Sequence, residues 1–245
     1  MYNPYSLEGK KILITGASSG IGRTSAVECS KMGATLVITG RNEGRLLQTL
    51  NSLEGKGHQA IAVDLTNDEG IAKLVAETPA LDGVFLCAGI TDTTPVKFIT
   101  TEKMARVMDL NLVSPTVTLK SLLTKKKINK GASLVFMSSM GAYQLAPGLG
   151  IYAASKRGLN AIMRAFAQEL SVRKIRANSI MPSMVRTELL GTLSFSEEEL
   201  AEDEKRYPFG YGKPQDVAYA AIYLLSDASG WMTGSEIRMD GGSTL

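Results

Sequence analysis

Short apolar runs of about five residues recur along the chain, each closed by a small or polar residue. Between them lie longer stretches in which apolar positions return every three to four residues. The short runs read as strands buried on both faces, and the longer period reads as helices packed against them. Strands are predicted at Lys11–Thr15, Gly33–Thr39, Gln59–Val63, Asp82–Leu86, Ser133–Met137 and Ile175–Met181. Helices are predicted from Gly20 to Met32, Asn42 to Leu53, Asn67 to Glu77 with Asn67 as N-cap, Thr101 to Lys127, and Ile151 to Val172. A further helix opens at Lys213, with Pro214 in its first turn, and Glu236–Met239 supplies a seventh strand.

Strand and helix alternating with short links imply a parallel sheet covered on both faces with right-handed crossovers. The expected fold is α/β: a three-layer, doubly wound Rossmann-type fold with a seven-stranded parallel sheet, in one domain over 1–245. The alternation breaks between Thr187 and Tyr211, where Ser196–Arg206 is acidic and polar. That stretch reads as a lid over a site, or as a surface helix with no role in binding. Its apolar residues are Leu189, Leu190, Leu193 and Phe195.

In such sheets ligands sit at the carboxyl ends of the strands. Thr15, Gly40, Asp64, Cys87, Ser139 and Pro182 all fall there.

With 44% apolar and 21% charged residues, the chain has ample material for a large core. A net charge of +3 is too small and too dispersed to suggest nucleic acid, and Lys125–Lys127 reads as a solvated helix end. Two cysteines, Cys29 and Cys87, form no disulfide framework, and one histidine with two distant cysteines makes no metal set. No apolar stretch reaches the ~18 residues of a membrane helix, and Met1–Tyr5 carries no signal pattern, so a cytoplasmic location is expected.

The run Thr15-Gly-Ala-Ser-Ser-Gly-Ile-Gly22 lies between the first strand and first helix. Its Gly16, Ser18, Ser19, Gly20, Ile21 and Gly22 offer close backbone approach and exposed N–H groups to a dinucleotide pyrophosphate. Tyr152 and Lys156, at i and i+4, face the same side of a helix, and an ammonium beside a phenol favours the phenolate. No acid stands at Thr39, Gly40 or Arg41, so Arg41 can grip a 2′-phosphate. NADP(H) is therefore the preferred cofactor and NAD(H) the alternative. Otherwise Arg41 is a surface residue paired with Glu43.

Asp64, with the backbone of Leu65, is placed to meet the adenine, or else to cap the next helix. Cys87, Ala88 and Gly89 allow close packing of the adenosine side. Cys87 is not expected to be a nucleophile, since no histidine lies near it in the sequence, and His58 is given no catalytic role. Ser139 is placed to bond a carbonyl oxygen as it gains charge, while Ser138 points the other way. Asn111 is a poor choice inside a helix, so a local distortion with a polar purpose is expected there, or a tolerated polar residue. A turn at Pro182, Val185 and Thr187 is placed to meet a nicotinamide.

These residues together resemble the short-chain dehydrogenase/reductase family over nearly the whole chain. The resemblance rests on Thr15–Gly22, Cys87-Ala-Gly89, Asn111, Ser139, Tyr152 and Lys156, and the ending Thr233–Gly242. Within the family the chain is most similar to 3-oxoacyl-acyl-carrier-protein reductases. Two positions depart: Leu86-Cys-Ala-Gly stands for the family's Asn-Asn-Ala-Gly, and Pro182-Ser183 for its Pro-Gly.

The resemblance implies an NADP(H)-dependent reduction of a ketone, including a 3-oxoacyl thioester. Its alternatives are a steroid, polyol or sugar alcohol dehydrogenase, or an NADP-binding regulatory protein without catalysis. It implies a tetrad in which Tyr152 gives the proton, Lys156 lowers the Tyr152 pKa and bonds the nicotinamide ribose, Ser139 holds the oxyanion, and Asn111 holds water leading to Lys156. It also implies a homotetramer and an acyl carrier protein partner, which would be met by Lys126, Lys127, Lys130 and Arg173.

Overall fold

The structure, a computed structural model, describes residues 2–188, 190 and 196–245. Strands β1 (Lys11–Thr15), β2 (Thr35–Gly40), β3 (Gln59–Ala62), β4 (Leu81–Leu86), β5 (Ile128–Met137), β6 (Arg176–Pro182) and β7 (Glu236–Met239) form one sheet in the order β3-β2-β1-β4-β5-β6-β7. Every pair is parallel. The order reverses between β1 and β4, which places a crevice at their carboxyl ends.

Helices α1 (Gly20–Lys31), α2 (Glu43–Asn51) and α8 (Pro214–Leu225) bury Ala26, Cys29, Leu46 and Ile222 against one face of the sheet. Helices α3 (Asp68–Glu77), α5 (Ser114–Thr124) and α6 (Gly150–Leu170) bury Leu74, Leu119 and Met163 against the other. Asn42 and Asn67 cap α2 and α3, accepting from the N–H groups of Arg45 and Gly70. No helix of the described residues is long and apolar enough to cross a membrane.

Two elements differ from the sequence reading. The expected helix from Thr101 to Lys127 is two helices, α4 (Thr101–Met108) and α5, joined by a π turn at Asp109–Val113. The wider turn accompanies Asn111, whose buried amide bonds outside its own helix. Strand β5 begins at Ile128 rather than Ser133, because Ile128 pairs with Leu81 before a register shift ahead of Gly83. In the expected lid, α7 (Glu197–Glu204) carries a capping box of Ser196 and Glu199. Leu189, Leu193 and Phe195 lie outside the described residues.

The turn after β1 is closed by direct backbone contact. A Cβ on Gly22 would lie 2.3 Å from the Gly16 carbonyl oxygen and 2.7 Å from its carbon. Alanine is the better helix former by ~1 kcal/mol. The clash is with backbone, which cannot rotate away, and overpacking costs roughly 1–3 kcal/mol. Gly22→Ala is therefore expected to lower the thermal midpoint of the cofactor-free protein; an unchanged or raised midpoint would show that helix propensity wins.

Candidate active site

The floor of the crevice is the turn from Thr15 to Gly22. Gly16 has φ +69°, and a Cβ there would stand 2.8 Å from the Ala88 Cα, so the strand ends of β1 and β4 meet only because the residue is glycine. Thr15 Oγ1 accepts from the N–H groups of Cys87 and Ala88, each at 3.0 Å. This hydroxyl braces the chain after β4, where the departure at Leu86-Cys87 removes amides. At the head of α1, Ser19 makes no side-chain cap and the first turn carries no acid. Its N–H groups and positive dipole end are left for an anion.

The crevice is a single cleft of about 1210 Å³, and Ser139, Tyr152 and Lys156 line it together with Gly16, Ser18, Ser19, Gly20, Ile21 and Gly22. Lys156, almost fully buried, donates from Nζ to the Met137 carbonyl at 2.8 Å. Burial pulls its pKa down to about 8. Ser139 Oγ accepts from Gly141 N–H at 3.0 Å and reaches the Pro182 carbonyl only at 3.4 Å. A Cβ on Gly141 would lie 3.3 Å from both Ser139 Oγ and Tyr152 Cε1, so the bare backbone of that turn separates hydroxyl and ring. Ser138 Oγ turns the other way and donates to the Lys156 backbone carbonyl.

Burial acts on Tyr152 against the lowering of its pKa expected from Lys156. Burial holds the Tyr152 hydroxyl above its ordinary range, against a smaller opposing effect of its hydrogen bond with Ser139. Lys156 Nζ is engaged with the Met137 carbonyl, and burial favours the protonated form of the Tyr152 hydroxyl.

Asn111 is buried in the π turn. Its Oδ1 accepts from Ile90 N–H at 2.9 Å, and its Nδ2 donates to the Ile90 carbonyl at 2.9 Å and Ser155 Oγ at 3.1 Å. Gly89 packs beside it: a Cβ there would lie 3.1 Å from Asn111 Oδ1 and 3.4 Å from Lys156 Nζ.

At the adenosine end Arg41 lines the cleft with Arg45, in the first turn of α2. Arg45 escaped the sequence reading, although a second arginine four positions on was the available signal. It pairs with Glu188 across 3.6 Å. Asp64 Oδ1 accepts from Thr66 N–H at 2.9 Å and Thr66 Oγ1 at 2.7 Å, which holds the carboxyl below the usual carboxylate range. Its neighbours Val63 and Leu65 line the cleft. Cys87 also lines it, and burial lifts its thiol to about 12, so it stays protonated.

Beyond Tyr152 the wall is Met140, Leu145, Leu149, Met184 and Leu200, with Thr91, Thr93 and Gln144 as polar points. No sequence signal singled these out, because loops after separate strands bring them together. Pro182, Val185 and Thr187 line the same end. The α7 segment is fastened over it: Tyr211 Oη donates to Asp203 Oδ2 at 2.8 Å and the Leu200 carbonyl at 3.1 Å, and Glu204 pairs with Arg186.

The basic residues Lys126, Lys127, Lys130 and Arg173 do not belong to this place. They lie at the amino ends of β5 and β6, and the ten residues of β5 at ~3.3 Å each put them on the order of 30 Å from Ser139. Lys127 and Arg173 are also engaged, with the Thr78 and Ile128 carbonyls.

A nicotinamide dinucleotide fits the residues present. The cradle admits no Cβ at Gly16 or Gly22, the helix head is uncapped by any side chain, and Arg41 and Arg45 line the same cleft. Residues 16–244 match the family model described as Enoyl-(Acyl carrier protein) reductase. The 3-oxoacyl-[acyl-carrier-protein] reductase of Rickettsia bellii is 32% identical over 98% of both chains. The NADP-dependent (R)-specific alcohol dehydrogenase of Lentilactobacillus kefiri is 31% identical over 97% of this chain and 98% of its own. A short-chain type dehydrogenase/reductase of Mycobacterium marinum, 27% identical, superposes with a TM-score of 0.87 over 99% of this chain and 98% of that one. The cradle, the Ser139–Tyr152–Lys156 cluster and these likenesses agree: the chain belongs to the short-chain dehydrogenase/reductase family and is an oxidoreductase.

Proposed function

We propose that the protein reduces a ketone to a secondary alcohol with NADP(H), and that its substrates are 3-oxoacyl thioesters. The observation that carries this reading is the meeting of Ser139 and Tyr152 across Gly141, inside the cleft that the glycine cradle opens. Support for the thioester comes from the apolar wall of Met140, Leu145, Leu149 and Leu200 and from the 3-oxoacyl reductase relatives. A simple secondary alcohol is the second reading, supported by the Lentilactobacillus relative.

Gly16, Ser18, Ser19, Gly20, Ile21 and Gly22 hold the pyrophosphate. Arg41 and Arg45 meet the 2′-phosphate, Leu65 and Ala88 flank the adenosine, and Val185 and Thr187 adjoin the nicotinamide. The dinucleotide, when bound, supplies the hydride. Ser139 Oγ, held by Gly141 N–H beside the Tyr152 hydroxyl, donates to the substrate carbonyl oxygen in place of its long contact to Pro182. Tyr152 Oη gives that oxygen its proton; burial keeps the hydroxyl protonated, which is the form reduction needs. Lys156 then faces the phenolate with a positive charge, and Asn111 holds α6 and the Gly89 loop in register.

The leading test is NADPH oxidation with an acetoacetyl thioester. Tyr152→Phe is expected to cut kcat by about 10² to 10⁴ and leave the NADPH Kd unchanged. Near-wild-type turnover would remove Tyr152 as the acid. Reduction of simple ketones with no rate on the thioester would favour the second reading.

Arg41→Ala is expected to weaken NADPH binding about ten- to a hundredfold, as loss of a charged hydrogen bond implies, and to leave NADH binding alone. Equal loss for both cofactors would contradict a 2′-phosphate role.

The pH dependence follows from Lys156. Its folded pKa lies below the ordinary lysine value, at about 8, so its charge is present below that pH and lost above it. The kcat/KM for NADPH, which reports groups of the free enzyme, should fall as pH rises through this value. A flat profile to pH 10 would rule out a required ammonium of that pKa.

A further inference from the structure

A buried carboxylate outside the tetrad reaches the active-site turn. Glu236, at the start of β7, has a side chain only 9% exposed. Three donors from two other segments converge on it. Tyr143 Oη donates to Oε2, Asn160 Nδ2 donates to Oε2 at 3.1 Å, and Arg164 pairs with Oε1 at 2.9 Å. Asn160 and Arg164 lie on α6, the helix that carries Tyr152 and Lys156. Tyr143 ends the tight turn Met140–Ala142, whose first N–H bonds run back to Ser139 and Met140. The Arg157 guanidinium, also on α6, sits 4.0 Å from the centre of the Tyr143 ring. One carboxylate therefore joins β7, the catalytic helix and the far end of the turn that begins at Ser139.

The consequence lies at Ser139 and the cleft wall. Ser139 Oγ is oriented by accepting from Gly141 N–H, and Gly141 rests against the Tyr152 ring. The turn continues directly into Gln144 and Leu145, which line the substrate end of the cleft. If the Tyr143 end of the turn is released, Gly141 N–H is free to leave Ser139, and the wall at Gln144 and Leu145 moves with it.

We propose that Glu236 is a positioning residue which, through Tyr143, fixes the Ser139 turn and the adjoining substrate wall for the reaction. This role rests on the reading of Ser139 and Tyr152 as the reacting pair. Nothing in the proposal requires Glu236 to touch substrate or cofactor. Removing only the Tyr143 hydroxyl leaves Glu236 paired with Arg164 and Asn160, so no unpaired buried charge is created and the fold should hold. The ring remains over Arg157 in such a variant.

The experiment uses Tyr143→Phe, Glu236→Gln and the double variant in the full chain. Three outcomes are expected together. The thermal midpoint and NADPH Kd of Tyr143→Phe stay at wild-type values. Its kcat falls about ten- to a hundredfold, the scale on which misplacement by about 1 Å acts. Amide exchange in residues 140–145 of the NADPH complex speeds up, while exchange in the rest of α6 does not. The double variant should lose no more kcat than the more impaired single one, since Tyr143→Phe removes the donor and Glu236→Gln the charged acceptor of the same bond.

Wild-type kcat and unchanged exchange in Tyr143→Phe would overturn the proposal. So would losses that multiply in the double variant, or a kcat loss that merely tracks a lower midpoint. The exchange measurement needs no substrate. Failure of the wild-type protein to reduce any ketone would count against the reaction, and the exchange result would still decide whether Glu236 holds the turn.

Discussion

The amide of Asn111 is the joint on which the site depends. It bonds both backbone groups of Ile90, in the loop after β4, and the hydroxyl of Ser155, on the helix that carries Tyr152 and Lys156. A buried amide is costly unless its hydrogen bonds are made, so these three segments are held at fixed spacing by the penalty for separating them. The helix yields to that demand by widening into a π turn. With α6 fixed, Lys156 Nζ reaches the Met137 carbonyl and Tyr152 comes to stand beside the turn that follows Ser139.

Burial is the second organising influence, and it shifts the pKa values of Tyr152 and Lys156 in opposite directions. It keeps the Tyr152 hydroxyl protonated and makes the Lys156 ammonium easier to lose. The same low-polarity setting keeps Cys87 as an inert thiol, although it lines the cleft.

Glycine decides how closely the crevice can close. Gly16 against Ala88, and Gly22 against Gly16, are contacts between backbones that no side chain could share. Thr15 then uses one hydroxyl to hold two N–H groups of the chain after β4, at the place where the family's usual asparagine is missing.

The sequence by itself determined the strand and helix order, the parallel sheet and the carboxyl-end location of the site, because period and turn chemistry are local properties. It also picked out the glycine cradle, Tyr152 with Lys156, and the oddity of Asn111 within a helix. Only the tertiary structure decided what depends on distances between segments far apart in the chain. Arg45 joined Arg41, and Asp64 Oδ1 met the backbone and hydroxyl of Thr66. The basic residues near Lys126 fell at the opposite end of β5 from Ser139, and Glu236 reached Tyr143 across ninety-three positions. Lys156 Nζ found the Met137 carbonyl, and burial raises the Tyr152 pKa that the ammonium was expected to lower. Spacing along a helix says that two side chains share a face, but burial and the nearest carbonyl decide where a proton rests.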